Sequence, residues 1–141
     1  MARKAAKAHT AASRLILDAG AVIALARGDQ RTRAFLMRSI ELGAEVLIPA
    51  VILAETLRGT ARDARVNRVI QTVERVLPVE EQTGRLAGAL LGRAGIDATI
   101  DSLVVAAAAL AGGGCVLTGD PVDLEKLAAA LPSSVIQIAS L

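Results

Sequence analysis

The sequence predicts an α/β fold, a three-layer α/β/α sandwich around a central parallel sheet, and three observations carry that prediction. Short apolar runs of strand length recur along the chain. Between them lie stretches with helical spacing, closed by glycine or opened by proline. Strands alternating with helices in this way pair in parallel through right-handed crossovers. The third observation is continuity: 141 residues without an internal repeat or a dividing linker fit one domain, long enough to bury roughly two thirds of its unfolded surface.

The elements follow in order. Residues 14–18, Arg14-Leu-Ile-Leu-Asp18, read as a short buried strand, and 21–27 as a helical turn or two broken by Gly28. Residues 31–43 carry Phe35, Leu36, Ile40 and Leu42 at mixed three and four spacing and stop at Gly43, which suits a helix. A second strand is expected at 45–48. Pro49 is placed to open a helix to about Arg58, because the first helical turn needs no amide there, and Gly59 closes it. Residues 61–73 set Val66, Val69, Ile70 and Val73 on one stripe and Arg58, Arg62, Arg65 and Arg68 near another, the pattern of an amphipathic helix. A third strand at 75–79, helices at 81–94 and 99–111, the glycine run 112–114 and a fourth strand at 115–118 follow. A last helix starts at Pro121, and 135–138 is the final strand.

Composition sets limits on function. Hydrophobic residues make up 53% and aromatics 1%, so the core must be built from Ala, Val, Leu and Ile, with Phe35 the only ring. Such a chain has almost no stacking surface for bases. The single cysteine, Cys115, cannot form an internal disulfide, and a reducing cytoplasm is the expected location. Asp18 interrupts the only apolar stretch that a secretion signal would require near the start. The longest uncharged apolar stretch, 103–117, holds three consecutive glycines and falls short of the roughly 20 residues that span a bilayer, so no membrane helix is expected. The net charge of +2 is unevenly placed. Residues 1–14 hold four basic residues and no acids, leaving 12 basic against 14 acidic residues in the remainder. Residues 1–13 therefore read as a basic arm, unstructured or artificially appended, and 14–141 as the domain; net charge alone does not announce nucleic-acid binding.

In an open α/β sheet, ligands bind outside the carboxyl ends of the strands. Asp18 ends the first strand and Asp120 the fourth, although either position also suits an aspartate that caps the following helix. Glu55 lies within Val51-Ile-Leu-Ala-Glu55-Thr-Leu57, where a carboxylate needs a partner; Arg58 could be that partner as an ordinary helix pair. Asp97 and Asp101 stand four apart and, on a helix, would share a face and repel. A helix N-terminus or a bound cation would relieve them. The only histidine is His9 in the arm, so the oxygen-only ligand set favours Mg²⁺ or Mn²⁺ over zinc. Such ions activate water for in-line attack at phosphorus, which points to phosphodiester hydrolysis. Ser-His-Asp catalysis lacks its histidine, and Gly112-Gly-Gly114 lacks the ending of a phosphate-binding P-loop.

Four blocks in this order resemble the PIN-domain ribonucleases, in particular the VapC-like toxins of prokaryotic toxin–antitoxin pairs. They are LILDAGAVIAL with Asp18, PAVILAETLRG with Glu55, IDSLVVAAAAL with Asp101 and VLTGDPVDLEKLA with Asp120, and the likeness spans about residues 14–140. The resemblance implies a PIN-like sandwich in which Asp18, Glu55, Asp101 and Asp120 are catalytic and bind metal, with Thr118 shaping the pocket. Asp97 resembles an additional acid one turn before the third family position, and Asp123 the second acid of a D-x-x-D variant; both are provisional supporting residues. Asp123, at the third position of its helix, would also serve capping alone. An endoribonuclease is implied, acting on single-stranded or looped RNA, leaving a 3′-hydroxyl and a 5′-phosphate, forming a homodimer and inhibited by a VapB-like antitoxin. The arginines at 58, 62, 65 and 68 could meet the RNA backbone, or form a solvated face paired with acids such as Asp63. The basic arm departs from typical members.

Other readings compete. Thr118-Gly119-Asp120 resembles a metal motif of haloacid-dehalogenase-like phosphatases, but Asp18-Ala19-Gly20 lacks the second acid of their first strand. A noncatalytic receiver-like signalling module needs a lysine after a late strand, whereas Lys126 lies within a predicted helix. An inactive PIN fold serving as a binding module is opposed by the intact four acids.

Overall fold

The structure is a computed structural model that describes residues 13–133 and 135–141. The expected arm, save Ser13, and His9 with it lie outside the described residues. Among the described residues, five strands form one sheet: β1 (Arg14–Leu17), β2 (Glu45–Pro49), β3 (Arg75–Leu77), β4 (Gly114–Thr118) and β5 (Ile136–Ser140). All pairings are parallel, in the order β3-β2-β1-β4-β5. Seven helices connect them: α1 (Ala19–Ala26), α2 (Gln30–Glu41), α3 (Ala50–Thr56), α4 (Ala64–Thr72), α5 (Glu81–Ala94), α6 (Thr99–Leu110) and α7 (Pro121–Ala129), with a 3₁₀ turn at Ala61–Asp63. Helix α1 packs on α2, α3 and α4 on one side of the sheet, and α6 packs on α5 and α7 on the other. This is the three-layer sandwich that the alternation of elements predicts.

Central strands covered on both faces become continuous apolar runs. Leu15, Ile16, Leu17, Leu47, Ile48, Val116 and Leu117 accordingly have essentially no exposed surface. Alanine lets α6 approach the sheet closely, and its Ala106, Ala107 and Ala108 are buried with Val104 and Val105. Phe35 is 39% exposed. The core therefore contains no aromatic ring.

Several boundaries differ from expectation for local reasons. Helix α3 ends at Thr56, two residues before Arg58, because the carboxylate of Asp63 accepts the backbone N–H groups of Arg58 (3.0 Å), Gly59 (2.7 Å) and Thr60 (3.3 Å). Those amides are then unavailable to a longer helix. The same capture replaces the first turn of the helix expected at 61–73 by the 3₁₀ turn, and Gly59, at φ +74°, supplies the left-handed bend. Strand β3 stops at Leu77, since Pro78 has no N–H for the ladder. β5 runs to Ser140, matching β4 residue for residue from Gly114↔Ile136 to Thr118↔Ser140.

Candidate active site

The chain leaves β1 toward β2 and β3 on one side, then returns to place β4 and β5 on the other. The carboxyl ends of β1 and β4 thus flank the switch point of the sheet, where open α/β folds form their ligand crevice. Asp18 follows β1 and is 9% exposed. Its Oδ2 accepts a 2.6 Å hydrogen bond from Oγ1 of the fully buried Thr118, the last residue of β4. The Thr118 hydroxyl in turn accepts the backbone N–H of Asp120 at 3.0 Å. One hydroxyl so couples the two strand-end acids and fixes one carboxylate oxygen of Asp18.

The capping role open to Asp18 and Asp120 is not realised. Each occupies the N-cap position of its helix, α1 or α7, yet neither side chain makes a cap hydrogen bond. Asp29 shows what a capping aspartate looks like here: it accepts from the N–H and the hydroxyl of Thr32, which hold its carboxyl below the usual range. Asp63 is held down likewise by the amides it captures, led by that of Arg58. Asp63 does not serve as a counter-ion to a row of arginines. The carboxylates at the strand ends remain available to a ligand.

Three further acids converge on them from other elements. Asp101 is half-buried in the first turn of α6. Burial first, and then the charges of Asp18, Asp123, Asp120 and Glu55, push its carboxyl from 3.8 up to about 6. Asp123 contributes from the first turn of α7. Glu55, in the last turn of α3, is exposed and not enclosed by its apolar neighbours. Even so, partial desolvation and the charge of Asp18 raise its carboxyl, against a lesser opposing pull from Arg58. The Arg58 guanidinium donates to the carbonyls of Ala54 and Leu57 at 3.1 and 2.8 Å in place of a helix pair with Glu55. Asp97 stays apart: it is exposed in the loop before Ala98, the N-cap of α6, so it shares no helical face with Asp101 and is not among the charges acting on it.

The donor set suits a hard divalent cation, being all carboxylate, and burial together with the neighbouring acids makes Asp101 resist ionisation. A cation would relieve that repulsion. As the side chains stand, no group of three or more acid, histidine or cysteine residues is gathered around a single metal position among the described residues. Cys115 on β4 is half-buried, and burial pushes its thiol up, away from nucleophilic use.

The four arginines divide. Arg58 is spent on backbone carbonyls and Arg62 lies in the 3₁₀ turn, while Arg65 and Arg68 line a groove of about 590 Å³ with Arg27 and Arg33. Its apolar floor includes Leu36, Met37, Ile40 and Val69, and Met37 and Ile40 remain 50% and 46% exposed. Sequence reasoning missed this groove. Its signal was an apolar stripe on α2 interleaved with arginine.

A model of the PIN domain family matches residues 15–130. The chain belongs to the PIN-domain family. PIN domains are nucleases, hydrolases of phosphodiester bonds that generally use divalent metal ions. Solved structures share this PIN fold across most of the chain. The VapBC2 structure from Rickettsia felis, bound to a DNA fragment from its promoter, has a TM-score of 0.72 at 12% identity, covering 91% of this chain and 98% of that one. VapBC-1 from nontypeable Haemophilus influenzae gives 0.65 at 16% identity, with 90% and 97% covered. FitAcB from Neisseria gonorrhoeae gives 0.63 at 20% identity, with 89% and 96% covered. The fold is that of a VapC-like PIN domain. No curated protein matches the chain significantly. Among the described residues, no helix is long and apolar enough to cross a membrane.

Proposed function

We propose that this PIN domain is a Mg²⁺- or Mn²⁺-dependent endoribonuclease, the toxin of a cytoplasmic toxin–antitoxin pair, with Asp18, Glu55, Asp101 and Asp120 as its catalytic, metal-binding acids. The observation that carries the site is Asp101, a carboxyl raised to about 6 by burial and by acids from three other segments, beside an Asp18 locked by Thr118. When bound, the ion supplies a water of lowered pKa and stabilises charge on the phosphate. Thr118 orients Asp18, and Asp123 adds negative charge from α7; Asp97, in the loop before Ala98, is not among the charges that raise Asp101. RNA as the substrate, and a homodimer as the working form, are supported by the likeness of the four acid-bearing blocks to VapC-like ribonucleases.

An antitoxin partner is supported by the groove as well. Its apolar floor and arginine rim fit an acidic amphipathic helix, which would lay apolar side chains on Met37 and Ile40 and acids against Arg65 and Arg68. This use competes with an RNA-backbone role for the same arginines. Charge reversal at Arg65 and Arg68 separates the two: a flatter salt dependence of RNA cleavage favours RNA contact, whereas unchanged cleavage with weakened inhibition by the antitoxin favours the groove.

The enzymatic test uses purified protein with single-stranded RNA and DNA. Cleavage of RNA with Mg²⁺ or Mn²⁺, stopped by EDTA and by Asp18→Asn or Asp101→Asn in a folded protein, is expected. Full activity in either variant, or hydrolysis of DNA alone, overturns the reading.

A further inference from the structure

The loops that follow β1 and β4 touch through glycine. A Cβ added at Gly20 would lie 3.0 Å from the backbone nitrogen of Gly119 and 3.3 Å from its Cα. The Leu141 Cδ1 covers the contact, 3.7 Å from that Cβ position and 3.6 Å from the corresponding one at Gly119. Neither glycine has a positive φ, so backbone conformation would admit other residues. Only the close approach requires hydrogen at position 20. The glycines of α5 differ: Gly84, Gly88 and Gly92 have nothing within 4 Å of a built Cβ.

The contact sits between the acids. Gly20 follows Asp18 by two residues, and Gly119 lies between Thr118 and Asp120. Three hydrogen bonds tie the segments together: Asp18 N–H to the Leu117 carbonyl at 3.0 Å, Thr118 O–H to Asp18 Oδ2 at 2.6 Å, and Leu141 N–H to the Thr118 carbonyl at 2.9 Å. We infer that Gly20 is a positioning residue: its bare backbone, seated on Gly119 beneath Leu141, sets the span between the Asp18 and Asp120 carboxylates. The inference rests on the metal-dependent reading above. A methyl group at 20 meets backbone, which cannot rotate aside, so Gly119 must shift by a few tenths of an ångström and carry Asp120 with it. Small hard cations tolerate little change in ligand spacing.

The test is calorimetric titration of the full chain with Mn²⁺ alone, beside thermal unfolding of each variant. Wild type binds, Asp18→Asn loses binding, and Gly20→Ala binds about tenfold more weakly, the effect expected of a residue that supports the ligands from behind. Leu141→Ala, at a half-exposed site, weakens binding about threefold by the same logic. Gly88→Ala binds as wild type does. Absence of Mn²⁺ binding in wild type, or unaltered binding by Asp18→Asn, overturns the metal reading itself. Binding lost in Asp18→Asn but retained at wild-type affinity in Gly20→Ala overturns this inference alone, as does a fall in thermal midpoint without any change in Mn²⁺ affinity. Should Gly20→Ala fail to fold, Leu141→Ala decides, and wild-type affinity there overturns the inference.

Discussion

Replacing Asp101 by asparagine is expected to stabilise the metal-free protein while abolishing its activity. Burial and four neighbouring carboxylates raise the Asp101 carboxyl from 3.8 to about 6. A folded pKa above the unfolded one means that the native state holds the proton more tightly, so stability falls as pH rises from about 4 to about 6 and stays low above that window. At about 1.4 kcal/mol per pH unit, a gap of about two units sets a ceiling of roughly 3 kcal/mol. The carboxyl is only partly buried, and solvent screening reduces this to about 1–2 kcal/mol. Asparagine keeps the shape and removes the charge. For a chain of this size the gain corresponds to about 3–6 °C in thermal midpoint. The assay is thermal unfolding in EDTA, followed by circular dichroism, for both proteins at about pH 7.5 and about pH 4, on either side of the titration. The variant should be the more stable at the higher pH, with the difference vanishing at the lower, where native Asp101 is already protonated. A variant no more stable than wild type at the higher pH, or a gain undiminished at the lower, would refute the crowding argument.

Other perturbations test separate parts of the account. Cation binding needs Asp101 ionised, so cleavage should climb through about pH 6 and fall roughly tenfold per unit below it; a flat pH–rate profile between 5 and 7 contradicts this. Thr118→Val removes the 2.6 Å bond to Asp18 and leaves a buried carboxylate oxygen unpartnered. Denaturant unfolding should show a loss of about 1–3 kcal/mol, and metal titration an affinity about 10-fold to 100-fold weaker. Asp63→Ala frees the amides of Arg58, Gly59 and Thr60 and should lower the thermal midpoint by several degrees without changing Mn²⁺ affinity; an equal loss of metal binding would tie that loop to the site.

Much of the fold was legible because local and global signals agree. Glycine and proline punctuate the elements near their observed ends, and the apolar runs of β1, β2 and β4 are those of strands buried on both faces. The strand-end acids were legible for the same reason, since their place in the sheet follows from the alternation of elements. What escaped depends on contacts distant in sequence or on side-chain direction. The end of α3 is decided by Asp63 reaching back to amides that a sequence pattern assigns to the helix. Glu55 sits in an apolar run, yet the run belongs to the other sides of a short helix and the carboxylate faces out. The four-residue spacing of Asp97 and Asp101 suggested a shared face, but α6 begins only at Thr99. Gly20 carried no signal beyond a missing acid; its role needs the position of Gly119, nearly a hundred residues away.

The central claim, that the acids at the ends of β1 and β4 hold a catalytic cation, is tested most directly by crystals of the protein grown with Mn²⁺ and examined for anomalous scattering. The account predicts a peak between Asp18 and Asp101, within reach of Asp120 and Glu55, that disappears in Asp18→Asn. A peak elsewhere on the molecule, or none at millimolar Mn²⁺, would contradict it.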